Sequence, residues 1–229
     1  METVSGRAAV FLDRDGTITR YLEYCLRPED VRLLPGVGRA IQRLNQSGLL
    51  VVVVTNQSAV GRGWLTLEQL DRIHTKMRRQ LKQAGASVDA IYVCPHHPGD
   101  GCDCLKPGIG MFTRAAKDLG VSLEHSYMVG DRQLDIRSGR SAGGTTILVQ
   151  SGHPPEPPDG MLPDHEAATL REAVAWIFQQ EERRRVLPGR RASPPRRVGR
   201  PSGQRNRTWS AGGARAVTLK TRRGRGDAD

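Results

Sequence analysis

The chain has 229 residues and a formal net charge of +11, with the excess confined to one end: residues 1–180 carry 20 basic and 20 acidic side chains, residues 181–229 carry 15 and 4. A neutral body of that length can bury one substantial core, and its charge balance argues against a fold that grips nucleic acid across its whole face. No run of 18 or more apolar residues occurs and no apolar segment follows the first charges, so neither a membrane span nor a secretory leader is expected.

Apolar runs alternate with helical patterns from residue 8 onward, the pattern of a parallel sheet with covering helices. Ala8–Leu12 reads as the first strand. Val37–Gln46 reads as a helix between Pro35-Gly36 and Ser47-Gly48. Leu49–Val54 is continuously aliphatic, as a strand buried on both faces should be. Thr66–Gln83 is helical with Thr66 as N-cap and Gly85 as the stop. Ala90–Val93 is a short strand, and Gly110–Leu119 a helix ended by Gly120. Ser126–Val129 and Thr145–Val149 are strands around the helix Gln133–Ser141, and Asp164–Gln180 closes as a helix. The expected fold is therefore α/β, a Rossmann-like parallel sheet flanked by helices over residues 1–180. Residues 181–229 are rich in Arg, Gly, Pro and Ser; such a segment buries too little to offset its ordering entropy and is expected to be a disordered basic tail.

Chemistry is concentrated where the strands end. Asp13 and Asp15 follow the first strand in FLDRDGTI, at the carboxyl edge where open parallel sheets bind ligands. Two carboxylates one turn apart suit a hard cation such as Mg2+. One of them is then free to act as nucleophile and the other as acid or base. Thr55 and Asn56 leave the second strand in VVVVTNQS as neutral donors for phosphate oxygens. Lys106-Pro107 offers a cation for the charge that builds on a transferring phosphoryl group. In MVGDRQLD, Asp131 follows a further strand and would complete a metal site with Asp13 and the Asp15 backbone. Asp135, one helical turn on, either supports that site or only favours the amino end of its helix.

The four cysteines are Cys25, Cys94, Cys102 and Cys104, and three of them crowd into CPHHPGDGCDC. Cys94, His96, Cys102 and Cys104 form a complete Cys3His set for Zn2+, with His97 the alternative nitrogen and His96 chosen by its place in the motif. Four protein ligands leave no open position, so the zinc is expected to be structural and to shape the loop leading into Lys106.

The ordered set FLDRDGTI, TNQS, Lys106-Pro107 and VGDR resembles the haloacid dehalogenase-type phosphohydrolases. With the cysteine loop, residues 7–180 resemble the bacterial D-glycero-D-manno-heptose-1,7-bisphosphate 7-phosphatases and the related histidinol-phosphate phosphatases. The resemblance implies Asp13 as nucleophile and Asp15 as proton donor. It implies Thr55 and Lys106 as phosphoryl stabilisers, with Mg2+ on Asp13, Asp15 and Asp131. It maps substrate contacts to Tyr21, Leu22, Glu23 and Tyr24, to Asn56, Gln57 and Ser58, and to Leu105 and Arg132. Leu105 is a departure, since the family commonly has Arg before the Lys-Pro.

The implied activity is Mg2+-dependent removal of the 7-phosphate through an aspartyl-phosphate intermediate. The alternatives are a histidinol-phosphate phosphatase and, because Thr-Asn-Gln also resembles their motif, a polynucleotide 3′-phosphatase. The expected partner is a small phosphorylated metabolite. Nucleic acid is expected only through the basic tail, no membrane is expected, and the enzyme is expected to be a cytoplasmic monomer.

Overall fold

A computed structural model describes residues 6–150, 153 and 160–186, together with the backbone of 217–220. Its elements in chain order are β1 (Ala9–Leu12), α1 (Val37–Ser47), β2 (Leu50–Asn56), α2 (Leu67–Gln83), β3 (Ala90–Cys94), α3 (Gly110–Leu119), β4 (Tyr127–Gly130), α4 (Gln133–Ser141), β5 (Thr145–Val149), β6 (His165–Ala167), α5 (Leu170–Val186) and β7 (Val217–Lys220). The sheet order is β6-β5-β4-β1-β2-β3-β7. The first six strands in that order are parallel, and β7 joins the β3 edge antiparallel.

Side-chain alternation along the strands divides the core between the two sheet faces. Val10 and Leu12 point to one face, with Val51, Val53, Ile91 and Val129, and are covered by Ile41 and Leu44 of α1, Ile73 and Met77 of α2 and Val174 and Ile177 of α5. Ala9 and Phe11 point to the other, with Val52, Val54 and Tyr92, beneath Met111, Phe112 and Ala115 of α3. The Phe11 and Phe112 rings lie 4.9 Å apart at 51°; burying such a side chain contributes about 1.5–3 kcal/mol. On this face α4 comes close to the sheet, since a Cβ on Gly139 would lie 2.5 Å from the Met128 Cβ.

Local signals in the sequence explain the element ends. Thr66 caps α2 by accepting from the Gln69 N–H at 3.1 Å, while the Gln69 side chain accepts from the Thr66 N–H at 2.8 Å. Gly48 ends α1 at φ 83°, where a side chain would be strained.

Two expectations change at the end of the domain. Asp164–Gln180 is not one helix: His165–Ala167 pair with β5, and the helix starts only at Leu170. The Asp164 carboxylate holds this strand by accepting from the N–H and the hydroxyl of Thr146, each at 2.8 Å. Glu172 sets the new start by accepting from the Ala168 N–H at 3.1 Å. The helix then runs past Gln180 to Val186, because Glu181 accepts from the Tyr127 hydroxyl at 2.7 Å and Arg184 lies 5.1 Å above the Tyr127 ring. Apart from 181–186 and β7, the tail expected from residue 181 lies outside the described residues. No helix among the described residues is long and apolar enough to cross a membrane.

Candidate active site

The carboxyl ends of β1, β2 and β4 are neighbours in the sheet, so parallel register brings together the residues that follow them. The Asp13 N–H donates to Val129 O at 3.0 Å, which extends β1–β4 pairing by one residue and fixes the aspartate at the edge. The chain then turns through Gly16, whose φ is +84°. A Cβ there would lie 1.8 Å from Asp131 Oδ2, so the turn after β1 rests directly on the first residue beyond β4.

Lys106 reaches this edge from the loop before α3. Its ammonium donates to Asp13 Oδ1 at 2.8 Å, to Asp135 Oδ1 at 2.5 Å and to Val54 O at 3.0 Å, and the side chain is buried. Burial alone would lower the lysine pKa; Asp13 and Asp135 reverse this and raise it above the ordinary value. Asn56 holds the lysine backbone by accepting from its N–H at 3.0 Å and donating to its carbonyl at 3.2 Å. Expected among the substrate contacts, Asn56 spends its amide on this clasp.

Asp13, Asp131 and Asp135 each offer an oxygen within 4.8 Å of the others. Burial pushes Asp13 up to about 6, with Lys106 opposing the rise. Burial pushes Asp131 up to about 8, reinforced by the charges of Asp13 and Asp135. Asp131 Oδ2 accepts from the His153 N–H at 2.8 Å, but Oδ1 is buried without a partner among the described residues. An unsatisfied acceptor among like charges fits a hard divalent cation, which would supply the missing positive charge.

The Asp15 carboxylate lies in a different network. Arg14, fully buried, donates to Asp15 Oδ2 at 2.6 Å through Nη2 and at 3.0 Å through Nε. Its Nη2 also donates to Gln57 Oε1 at 3.0 Å, and its Nη1 lies 3.2 Å from His74 Nε2. Gln57 in turn donates through Nε2 to Asp15 Oδ2 and to Thr55 Oγ1, both at 3.0 Å. Gln57, expected to touch substrate, thus joins Asp15 to Thr55. The Thr55 hydroxyl accepts from Gln57 and keeps its own proton to donate.

The cysteine loop leaves β3 at Cys94. Cys94 Sγ lies 3.6 Å from Cys102 Sγ and 3.6 Å from His96 Nδ1, which lies 3.2 Å from Cys104 Sγ. Ligands placed tetrahedrally at zinc–sulfur and zinc–nitrogen bond lengths are about 3.5–3.8 Å apart, so the four groups fit one zinc ion. Cys104 is held down to about 6, chiefly by the hydrogen bond it shares with Cys94. His97 stands outside the cluster, where its Nδ1 accepts from the Gly99 N–H at 3.2 Å.

Tyr21 meets the His153 ring edge-on at 5.0 Å and Tyr24 meets Trp64 at 4.9 Å. Leu22 packs against the helix-covered core and Glu23 is exposed. Ser58 is half-buried and its carbonyl accepts from the Arg62 N–H at 3.0 Å. Leu105 packs against the α3-side core, and Arg132 precedes α4 with its N–H donating to Asp135 Oδ2 at 3.1 Å. Sequence reasoning missed Arg14 and His74, and left Asp135 without its direct bond to Lys106. An arginine placed inside the Asp-x-Asp motif, straight after a buried strand, was the available signal.

A family model described as HAD-hydrolase-like matches residues 103–173. A D-glycero-beta-D-manno-heptose-1,7-bisphosphate 7-phosphatase of Haemophilus ducreyi is 42% identical over 155 residues, 64% of this chain and 85% of its own. The Thermosynechococcus vestitus D-glycero-D-manno-heptose-1,7-bisphosphate 7-phosphatase is 37% identical over 187 residues, 75% of this chain and 95% of its own. A solved D,D-heptose 1,7-bisphosphate phosphatase from B. bronchiseptica, complexed with magnesium and phosphate, superposes with a TM-score of 0.69 at 36% identity, covering 76% of this chain and 99% of that one.

Proposed function

This chain belongs to the haloacid dehalogenase-like phosphatases, in the D-glycero-D-manno-heptose-1,7-bisphosphate 7-phosphatase family, and on that premise we propose that it removes the 7-phosphate of that sugar bisphosphate. The observation that carries the reading is the buried Lys106 ammonium, 2.8 Å from Asp13 and 2.5 Å from Asp135, at the carboxyl edge of the sheet. That bridge orients one oxygen of Asp13 and leaves the other for attack.

In the reaction, Asp13 forms a bond to phosphorus as the bond from phosphorus to the sugar oxygen breaks. The departing oxygen keeps the electron pair and takes a proton from Asp15. Asp15 then accepts a proton from water as that water attacks the aspartyl phosphate, which releases phosphate and restores Asp13. The Thr55 hydroxyl donates to a phosphoryl oxygen, and the positive charge of Lys106, whose three N–H donors go to Asp13, Asp135 and Val54 O, offsets the charge that builds there. Mg2+, held by Asp13, Asp131 and the Asp15 backbone, would supply positive charge against the phosphoryl group when bound.

The Cys94, His96, Cys102 and Cys104 site would hold Zn2+ as a structural ion. Cys104 stands two residues before Lys106, so the ion would set the path of the chain into the lysine. Thiols that must stay reduced suit a cytoplasmic enzyme. We take it to act as a monomer on a small phosphorylated metabolite, with the basic segment beyond α5 outside the chemistry.

The test is phosphate release with Mg2+ present from heptose 1,7-bisphosphate, histidinol phosphate and a 3′-phosphorylated oligonucleotide. Preference for the heptose bisphosphate, abolished by Asp13→Asn, is expected. Preference for either other substrate, or turnover retained by Asp13→Asn, contradicts the reading.

A further inference from the structure

Asp15 is held unevenly. Oδ2 accepts from Arg14 Nη2 at 2.6 Å, from Arg14 Nε at 3.0 Å and from Gln57 Nε2 at 3.0 Å. Among the described residues, Oδ1 accepts only the longer share of Arg14 Nε at 3.1 Å and the Thr19 hydroxyl at 3.3 Å. That hydroxyl has a single proton and a second acceptor, Arg14 O at 3.2 Å, so it can leave Oδ1 without losing a bond. One carboxylate oxygen is therefore saturated with donors while the other is open to carry a proton. The Asp15 side chain keeps 18% of its surface exposed and Arg14 keeps 1%, so the acid is reachable from solvent and the arginine is not.

Behind Arg14 stands His74, at the middle of α2 and with no exposed surface. Burial, then the charges of Arg14 and Arg78, lower its pKa well below the ordinary value, so the ring is neutral. Its Nε2 faces Arg14 Nη1 and accepts from it, which puts the ring proton on Nδ1; Nδ1 has no partner among the described residues. Leaving a buried ring N–H unpaired is unfavourable. The ring is kept in the tautomer that serves Arg14 at the expense of its own satisfaction.

We propose that Arg14, braced from behind by His74, is the positioning residue that grips Asp15 by Oδ2 so that Oδ1 delivers the proton to the leaving oxygen. The proposal rests on the phosphatase reading, with Asp15 as acid and base. Arg14 acts through Asp15, and His74 through Arg14. The step they serve breaks the bond from phosphorus to the ester oxygen, moves that electron pair onto the oxygen and transfers the proton from Asp15 Oδ1 to it, as Asp13 bonds to phosphorus.

Leaving-group chemistry separates positioning of the acid from simple packing. An alkoxide needs a proton to depart, whereas p-nitrophenolate departs without one. Wild type, Asp15→Asn, Arg14→Met, Arg14→Lys, His74→Phe and His74→Gln are assayed for kcat/KM on an alkyl phosphomonoester and on p-nitrophenyl phosphate, with circular dichroism melts of each. Arg14→Met and His74→Phe should lower the alkyl-to-aryl ratio at least about tenfold, part of the roughly 10²–10⁴-fold that a positioned acid contributes, and in the same direction as Asp15→Asn. His74→Gln, which can still offer an oxygen to Arg14, should restore the ratio to within about twofold of wild type on the same scale. If Arg14→Met fails to fold, Arg14→Lys carries the test, because an ammonium keeps the charge but loses the planar fork; its ratio should fall too. Both substrates falling together, with the ratio unchanged in folded variants, overturns the positioning role and leaves Arg14 and His74 as packing. Wild type that hydrolyses neither substrate overturns the phosphatase reading itself.

Discussion

A Cβ placed on Gly16 would lie 1.8 Å from Oδ2 of Asp131, so the turn after β1 and the acid after β4 are in contact through a gap that only glycine leaves open. The same residue has φ +84°, where an L side chain costs roughly 1–2 kcal/mol. Gly16→Ala should therefore both strain the turn and displace Asp131. A fall in kcat/KM of roughly 10–100-fold is expected, the range seen when support for a metal ligand is disturbed, together with a higher Mg2+ requirement. Titrating activity against Mg2+ for both proteins checks it.

Lys106 is a buried cation shared by two carboxylates. Removing Asp135 leaves one of its hydrogen bonds unmade and part of its charge uncompensated. Asp135→Ala should destabilise the fold by about 3–5 kcal/mol, as breaking one side of a buried ion pair does. Urea unfolding of the two proteins measures the difference; a change within experimental error would mean that Asp135 is not structural.

The cysteine cluster predicts one bound zinc ion. Cys102→Ser should abolish stoichiometric zinc and lower the thermal midpoint, by about 4–8 °C for a loss of ~2 kcal/mol in a chain of this size. Activity should fall as well, because Lys106 follows directly from Cys104 through Leu105. Metal analysis beside a melting curve reports both effects.

His74 gives the fold an acid-sensitive element. Its folded pKa lies well below the ordinary 6.5, so folding favours the neutral ring. The stability it contributes is fully present above pH 6.5 and is lost as pH falls below that value toward the folded pKa. His74→Gln, which cannot charge, should lose less stability than wild type between pH 7.5 and 5.5. Denaturant midpoints at the two values test this; equal losses would remove His74 from the acid response.

Much of this arrangement was legible in the chain. The strand before Asp13, the aliphatic run before Thr55 and the run before Asp131 each end at the sheet edge, because buried parallel strands leave a clear hydrophobic trace. What was not legible depends on partners distant in sequence. His165–Ala167 carries no apolar run and is a strand only because it pairs with β5 and Asp164 ties it to Thr146. Arg14 and His74 are types that rarely fill a core; Arg14 is buried against Asp15 and Gln57, and His74 Nε2 accepts from it across 60 positions of sequence. Asn56 and Gln57 looked like ligand donors, and only the structure shows their amides occupied by Lys106, Thr55, Arg14 and Asp15.

The most direct test of the central claim is kcat/KM for phosphate release from D-glycero-D-manno-heptose 1,7-bisphosphate, wild type beside Asp13→Asn, with the product's remaining phosphate located by phosphorus NMR. The account predicts efficient loss of the 7-phosphate with the 1-phosphate retained, and no turnover above background by the variant. Release from the other position, or turnover that survives without the Asp13 carboxylate, would contradict it.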